Sequence, residues 1–595
     1  MSKIVGIIQS AALFVAVFLF WAFAHPEALS YHEQYQMFLF SWDYLFEHLR
    51  VAGGMAEYVA EFFVQFNYYP VVGAALMASL FLGLQIGTWR MAKALGADGC
   101  HYGLSLVPAV LMLVLMGDDN VKAALLVAVV ITVFAAVAYA RVDDVRWRCA
   151  AQVVAVPVVY LLCGVAVVVY VVLCAIAEAR RGRWAVGVGG VAYAVVIVAI
   201  AAWTWMSQYA TQGILFGHNY YNLRMASPAM LFVVVASAIL VPPAMAFLPR
   251  VGRKWLPVAE CIAVFAIGAF AVTNSFDTKR YELVNIDRLV RGEKWAEVVA
   301  LAEACQPSAP TSLSAVNLSL AMRGELLDKM FSFNQIGPQG LLTRSLREQF
   351  TSFPTAEAFF RLGMVNMAQY YFFDLQEGII DCRKSGRISK RIAETLIVNG
   401  RYEMARKYIC RLKETLFYSQ WARKAETYLG NDAAVDAHPV WGRLRKLRFK
   451  SSFFANYYEM DKMLAILYDG NHDNRMALDY FLAQCLLRRD IRQLWTGLVW
   501  AKEAYGSRIP RHVQEAVIVA WSQSHPNLDG VPIPISPDVT RDFTEFVKMY
   551  AANRSDIRLN APRWRKTYWH YLLLQQPQED TRTGATIINN EEQVR

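Results

Sequence analysis

The chain has 595 residues, of which 56% are hydrophobic and 18% charged, with a net charge of +10 and a mean hydropathy of +0.27. That balance excludes a disordered chain, a coiled coil and an ordinary soluble enzyme, and the length implies two or more domains. The apolar excess is uneven: residues 1–272 hold 15 of the 59 Lys and Arg and 13 of the 49 Asp and Glu. A membrane half, residues 1–273, joined to a mildly basic soluble half is therefore expected.

The first apolar stretch, 4–24, follows Lys3 and closes with Ala22-Phe23-Ala24, which has the form of a signal-peptide cleavage site. It is longer than a signal-peptide core and long enough to cross a bilayer, so it reads as an uncleaved span. Further candidates follow at 71–89, 102–116, 121–140, 150–163, 165–177, 184–205, 229–248 and 256–273, giving about nine crossings. The stretch 150–177 is too long for one crossing, and Cys163-Gly164 is where it folds back as a hairpin. With the N-terminus inside, Lys3, Arg90, Lys93, Arg141, Arg146, Arg148, Arg180, Arg181, Arg183, Arg250, Arg253 and Lys254 all lie inside. Only Arg50, Lys122 and Arg224 lie outside, which is a strong positive-inside asymmetry. An odd number of crossings leaves the soluble half outside, in the periplasm of a bacterial inner membrane.

Two outside loops carry chemistry. The first, 25–70, interleaves aromatics with acids and amides, from Tyr31-His32-Glu33-Gln34-Tyr35-Gln36 through Trp42-Asp43-Tyr44 to Phe66. The pattern suits helices lying in the headgroup zone. Ser30 and Glu33 also have capping-box spacing. The second loop, 208–228, holds His218, Tyr220, Tyr221 and Arg224, a cluster able to meet a phosphate or a sugar at the membrane surface. Glu260 lies inside the last span, where an ionisable group flags function.

Residues 274–530 read as helices joined by short turns. Gly292, Gly324, Gly363 and Gly400 recur at similar spacing, and the unit at 400 continues Tyr402, Ala405, Tyr408, Leu412, Thr415-Leu416-Phe417-Tyr418 and Trp421-Ala422. That period looks like a tetratricopeptide-type helical hairpin, whose units bury their small-residue faces against one another. Prolines 532, 534 and 537 end the array, and 531–595 forms a C-terminal helical extension with a frayed tail. The fold class is all-α: a polytopic membrane domain followed by a soluble helical-repeat domain. Cys305, Cys382, Cys410 and Cys485 allow two disulfides or free thiols. The nine cysteines lack metal-type spacing, and neither a nucleotide-binding loop nor a hydrolase motif is present, so no cofactor, metal or nucleic acid is expected.

The segments His32-Glu33-Gln34-Tyr35-Gln36-Met37-Phe38, Gly53-Gly54 with Tyr58 and Gln65-Phe66, and Asn399-Gly400-Arg401-Tyr402 with Ala405-Arg406-Lys407-Tyr408 resemble an uncharacterised family of bacterial polytopic membrane proteins with a C-terminal tetratricopeptide-like domain. More distantly, the chain resembles the C-type, polytopic glycosyltransferases. That resemblance implies a catalytic acid in the first outside loop, a polyprenyl-phosphate sugar donor and a periplasmic C-terminal domain. Glu33 stands where that acid would be, with Asp43 as its substitute, although His32 replaces one member of the usual acidic pair. His32, Gln36, His218, Tyr220, Tyr221 and Arg224 are the matching substrate-binding candidates. Three functions follow as expectations: a membrane-anchored scaffold whose repeats bind a protein or glycan, a lipid-linked-sugar transferase, and a transporter. Membrane lipid is a partner in each.

Overall fold

The computed structural model describes residues 3–206, 214, 219–222, 228–249, 255–345, 352–379, 383–449, 456–554 and 557–575. Among these the chain is helical, without strands, apart from an isolated antiparallel bridge between Val121 and Tyr221. It forms two compact units. The first comprises Met1–Asn285 with Ile379–Ser389 and Ile409–Glu426; the second comprises Ile286–Gly378, Lys390–Tyr408 and the chain from Thr427 on.

Among the described residues of the first unit, six helices are long and apolar enough to cross a membrane: Ile4–Ala24, Pro70–Ala94, Val145–Arg180, Trp184–Trp203, Ala229–Phe247 and Leu256–Ser275. Tyr102–Leu115 and Ala124–Ala140 are apolar but shorter. These helices are compatible with a multi-pass membrane protein. We label the elements used below α1 (Lys3–Leu19), α2 (Pro26–Tyr35), α3 (Trp42–Leu49), α4 (Gly54–Val64), α5 (Pro70–Ala94), α6 (Val107–Leu115), α7 (Ala124–Ala140), α8 (Val145–Cys163), α9 (Val167–Arg180) and α10 (Trp184–Trp203). The long apolar stretch does fold back on itself. Gly164 takes φ +54° at the turn, and Arg148 early in α8 meets Glu178 late in α9 at 2.7 Å, both buried. Tyr139 Oη donates to the same carboxylate at 3.1 Å.

The first long loop departs from the sequence reading. α2 begins at Pro26, so Ser30 lies within the helix and does not cap it. Nor does α2 lie on a surface, because Glu27 through Tyr35 are all buried. An amphipathic pattern is the same for an interfacial helix and for a buried one, and α2 is covered by the 65–68 turn and α5, with Arg387 and Tyr418 reaching it from far along the chain.

The second unit is built of short helices joined by tight turns. Gly292, Gly324, Gly363 and Gly400 each follow a helix, after Thr278–Arg291, Pro310–Met322, Phe353–Leu362 and Gly386–Val398 respectively. Leu313, Leu318, Phe359, Phe360, Tyr480 and Leu486 are fully buried in its core. Arg391 forks onto Glu357 at 2.9 and 3.0 Å and reaches Glu394 at 2.7 Å. The C-terminal helices pack on Arg511–Ser522: the indole of Trp569 donates to Glu515 O at 2.8 Å, and the Glu515 carboxylate accepts from the Tyr568 N–H at 2.8 Å. Cys305, Cys410 and Cys485 are free thiols, and Cys382 lies outside the described residues.

Candidate functional site

α4 sets Glu57 and Glu61 one turn apart, hence on one face. α3 turns Tyr44 and His48 to the core by the same spacing. These four meet two cations from elsewhere in the chain. Glu57 accepts from Lys122 Nζ at 3.2 Å and pairs with Arg383 at 2.8 Å. Arg383 also reaches Glu61 at 3.3 Å. The other Glu61 oxygen faces His48 Nε2 at 3.1 Å and accepts from the Tyr44 hydroxyl. His48 Nδ1 sits 2.8 Å from the Tyr44 carbonyl, which can only accept, so Nδ1 carries a proton. Arg383 Nη1 lies 3.0 Å from His48 Nε2.

The cluster contains two carboxylates and two permanent cations, with both carboxylates buried. Charge balance is what makes such burial tolerable, since a lone buried ion is costly. Burial would raise the Glu57 carboxyl, but Arg383 and Lys122 outweigh it and hold it down at about 2. Burial would lower His48, but its bond to Glu61 outweighs that and holds the imidazole above its ordinary value. Burial and Glu61 together push the Tyr44 phenol well up.

A second polar knot lies at the loop between α6 and α7. Tyr221 Oη donates to Asp118 at 2.6 Å, and Arg280 Nε donates to Asp119 at 2.8 Å. The backbone N–H of Lys122 donates to Tyr220 O, and that of Asn222 to Asn120 O, both at 2.9 Å. Tyr220 Oη donates to the Cys163 carbonyl, and Asn219 Nδ2 donates to Ala52 O at 3.1 Å. The turn of the α8–α9 hairpin, the Gly53-Gly54 break and the 219–222 segment are thus fastened together.

Among the sequence candidates, Glu33, His32 and Gln36 gather at the end of α2, all buried. Glu33 Oε1 accepts from the Tyr418 hydroxyl at 3.3 Å, and its neighbour Gln34 accepts from Arg387 Nη1 at 2.7 Å. Burial pulls the His32 imidazole below its ordinary value. Asp43 is apart from them, on an exposed face of α3. Tyr220 and Tyr221 belong to the second knot, while His218 and Arg224 lie outside the described residues. Glu260 is paired with His101 Nδ1 at 2.6 Å. Among the described residues no group of three or more His, Cys, Asp or Glu side chains is arranged to hold a metal ion.

A model described as "Family of unknown function (DUF6057)" matches residues 2–575. The chain belongs to this family. No curated protein and no solved structure matches it. In this DUF6057 chain the sequence reading missed Glu57, Glu61, His48, Lys122 and Arg383. Two signals pointed to them. Glu57 and Glu61 share a helix face in an otherwise apolar stretch, and Lys122 is one of few basic residues breaking the charge asymmetry. Arg383, far away in sequence, gave none.

Proposed function

We propose that the protein is a nine-pass inner-membrane scaffold whose helical C-terminal region is held at the periplasmic face and binds a protein or glycan there. The observation that carries this reading is the buried cluster in which Arg383 ties Glu57 and Glu61. A covalently distant segment is clasped by the first loop, so the loop's acids act as anchors.

The pairing also supports the crossing count. Contacts that join loops demand that those loops share a side. Glu57 follows the first span, Lys122 the third, Gly164 the fifth, Tyr220 the seventh and Arg280 the ninth, if Tyr102–Leu115, α7, α8 and α9 each count as a crossing. All lie an odd number of crossings from the N-terminus. The opposite set, Arg148 with Glu178 and His101 with Glu260 and the Pro249 carbonyl, lies at the span ends and loops on the N-terminal side. Six spans alone would set Glu57 and Arg383 on opposite sides. The turns at Gly292, Gly324, Gly363 and Gly400 are in keeping with tetratricopeptide-like hairpins, an architecture made for binding.

A second reading, a transferase using a polyprenyl-phosphate sugar, is favoured by Asp43. Its carboxylate is exposed on α3 beside the exposed rings of Trp42 and Phe46, a position suited to a headgroup-depth acceptor. Transport ranks third, because Glu178 and Glu260 are both engaged by cations or imidazole. The experiment is complementation of a deletion strain by the Glu33→Gln/Asp43→Asn double variant, with membrane abundance checked by blot. Glutamine still accepts from Tyr418, so folding is retained while the base is lost. The scaffold reading expects full complementation. Lost function at normal abundance overturns it in favour of the transferase, where a general base contributes roughly 10²–10⁴-fold.

A further inference from the structure

The sequence reading assigns Thr415-Leu416-Phe417-Tyr418 to a helical repeat, yet in the structure this turn is seated on the first long loop. Phe417 stacks on Tyr68 with ring centroids 5.1 Å apart and planes within 3°, and touches Phe66 at 5.8 Å and Tyr69 at 5.5 Å. The Phe40 N–H donates to the Glu414 carbonyl at 2.8 Å. The rings continue from Phe66 to Phe62 at 5.6 Å and from Phe62 to Phe40 at 6.3 Å. Tyr68 and Tyr69 directly precede Pro70, where α5 begins, and Val71 and Val72 on its first turn are exposed.

Exposed apolar side chains line this run. Trp42 is 75% exposed, Tyr69 55%, Phe46 54%, Phe40 51% and Leu416 44%. These exposed side chains are joined through the ring contacts above, and Trp42 and Phe46 lie 6.4 Å apart, so they form a run and not isolated surface residues. α3 shows which way it faces. At the helical period its side chains divide three ways. Tyr44 and His48 point to the core, the exposed acids Asp43 and Glu47 share a second side, and Trp42 and Phe46 share a third with the half-buried Leu45 and Leu49. A helix with separate acidic and apolar exposed sides meets water with one and something else with the other.

We infer that the 414–418 turn, together with α3, is embedded in the interfacial zone of the bilayer, so that a segment from the C-terminal half is itself a membrane contact. The occupant is lipid because the patch is continuous, through Tyr68 and Tyr69, with the exposed apolar start of a membrane-length helix. Its composition of Trp, Tyr, Phe and Leu is that of the headgroup–acyl boundary. The inference does not depend on whether the protein is a scaffold or an enzyme.

The full-length protein is reconstituted in phosphatidylethanolamine–phosphatidylglycerol liposomes doped with a phosphatidylcholine bearing a diazirine near the acyl carbonyl. After photolysis, adducts are mapped by mass spectrometry. The inference expects adducts at 40–46 and 414–418 as well as at 71–72, and loss of the 414–418 adducts alone in Leu416→Asp. Labelling at 71–72 with none at 40–46 and 414–418 overturns it. So does protection of both segments accompanied by cross-links between two copies of the chain, which would make the patch a protein interface.

Discussion

Arg383 is the residue on which the buried carboxylate pair of α4 depends. It faces Glu57 and Glu61 at once, and Lys122 alone cannot balance both. Replacing it by methionine keeps much of the volume but strands a buried carboxylate, so Arg383→Met is expected to destabilise the protein by about 3–5 kcal/mol. A fall in melting temperature in detergent, measured by fluorescence-detected size exclusion, checks this; an unchanged melt would mean that the cluster is not buried as described. The same groups set a pH window. Glu57 is held down at about 2 against an ordinary 4.5, so its contribution is present above 4.5 and is lost as pH falls towards 2. His48 is held above its ordinary 6.5, so its contribution is present below 6.5 and is lost as pH rises through the higher folded value. Stability from this cluster is therefore greatest between about 4.5 and 6.5. Melting curves across pH should lose their acid limb in Glu57→Gln and their neutral-to-alkaline decline in His48→Gln. Identical curves for wild type and both variants would contradict the assignment.

Among the elements, the α8–α9 hairpin is the clearest case of a feature legible in the sequence. Its apolar length fits neither one crossing nor two ideal ones, and a glycine stands at the middle. The structure adds why the residue must be glycine. Gly164 has φ +54° and ψ −139°, a conformation open essentially to glycine alone. A Cβ there would also come within 3.3 Å of the Ala52 carbonyl and of Gly53 Cα. Gly164→Ala is thus expected to cost at least about 1–3 kcal/mol from backbone strain alone, and to loosen the Tyr220 contact to the Cys163 carbonyl. The yield of monodisperse protein in detergent is the readout, and wild-type yield and melting would contradict it. α2 is the opposite case. Its aromatic and polar alternation is genuine, but Gln34 is matched by Arg387 and Glu33 by Tyr418, hundreds of residues away. Periodicity reports that a helix has two faces and cannot report what covers each one.

At the scale of the whole molecule, the apolar helices, the charge asymmetry and the glycine-marked turns of the C-terminal half could all be read from local sequence. What could not be read is the return of Ile379–Ser389 and Ile409–Glu426 to the first unit, because the clasp consists of single side chains with no local pattern. The candidate site fared accordingly. Glu33, His32 and Gln36 lie together at the end of α2, where Glu33 accepts from Tyr418, while the charge-dense centre lies on α3 and α4. The clasp places Glu57 and Arg383 on one side, and under the proposed nine-pass topology the chain after Thr273 emerges opposite the N-terminus. The most direct test is a dual reporter fused after Thr273, an alkaline phosphatase active only in the periplasm paired with a green fluorescent protein that matures only in the cytoplasm. The nine-pass account predicts active phosphatase and a dark fluorescent fusion. A fluorescent fusion with inactive phosphatase would contradict it.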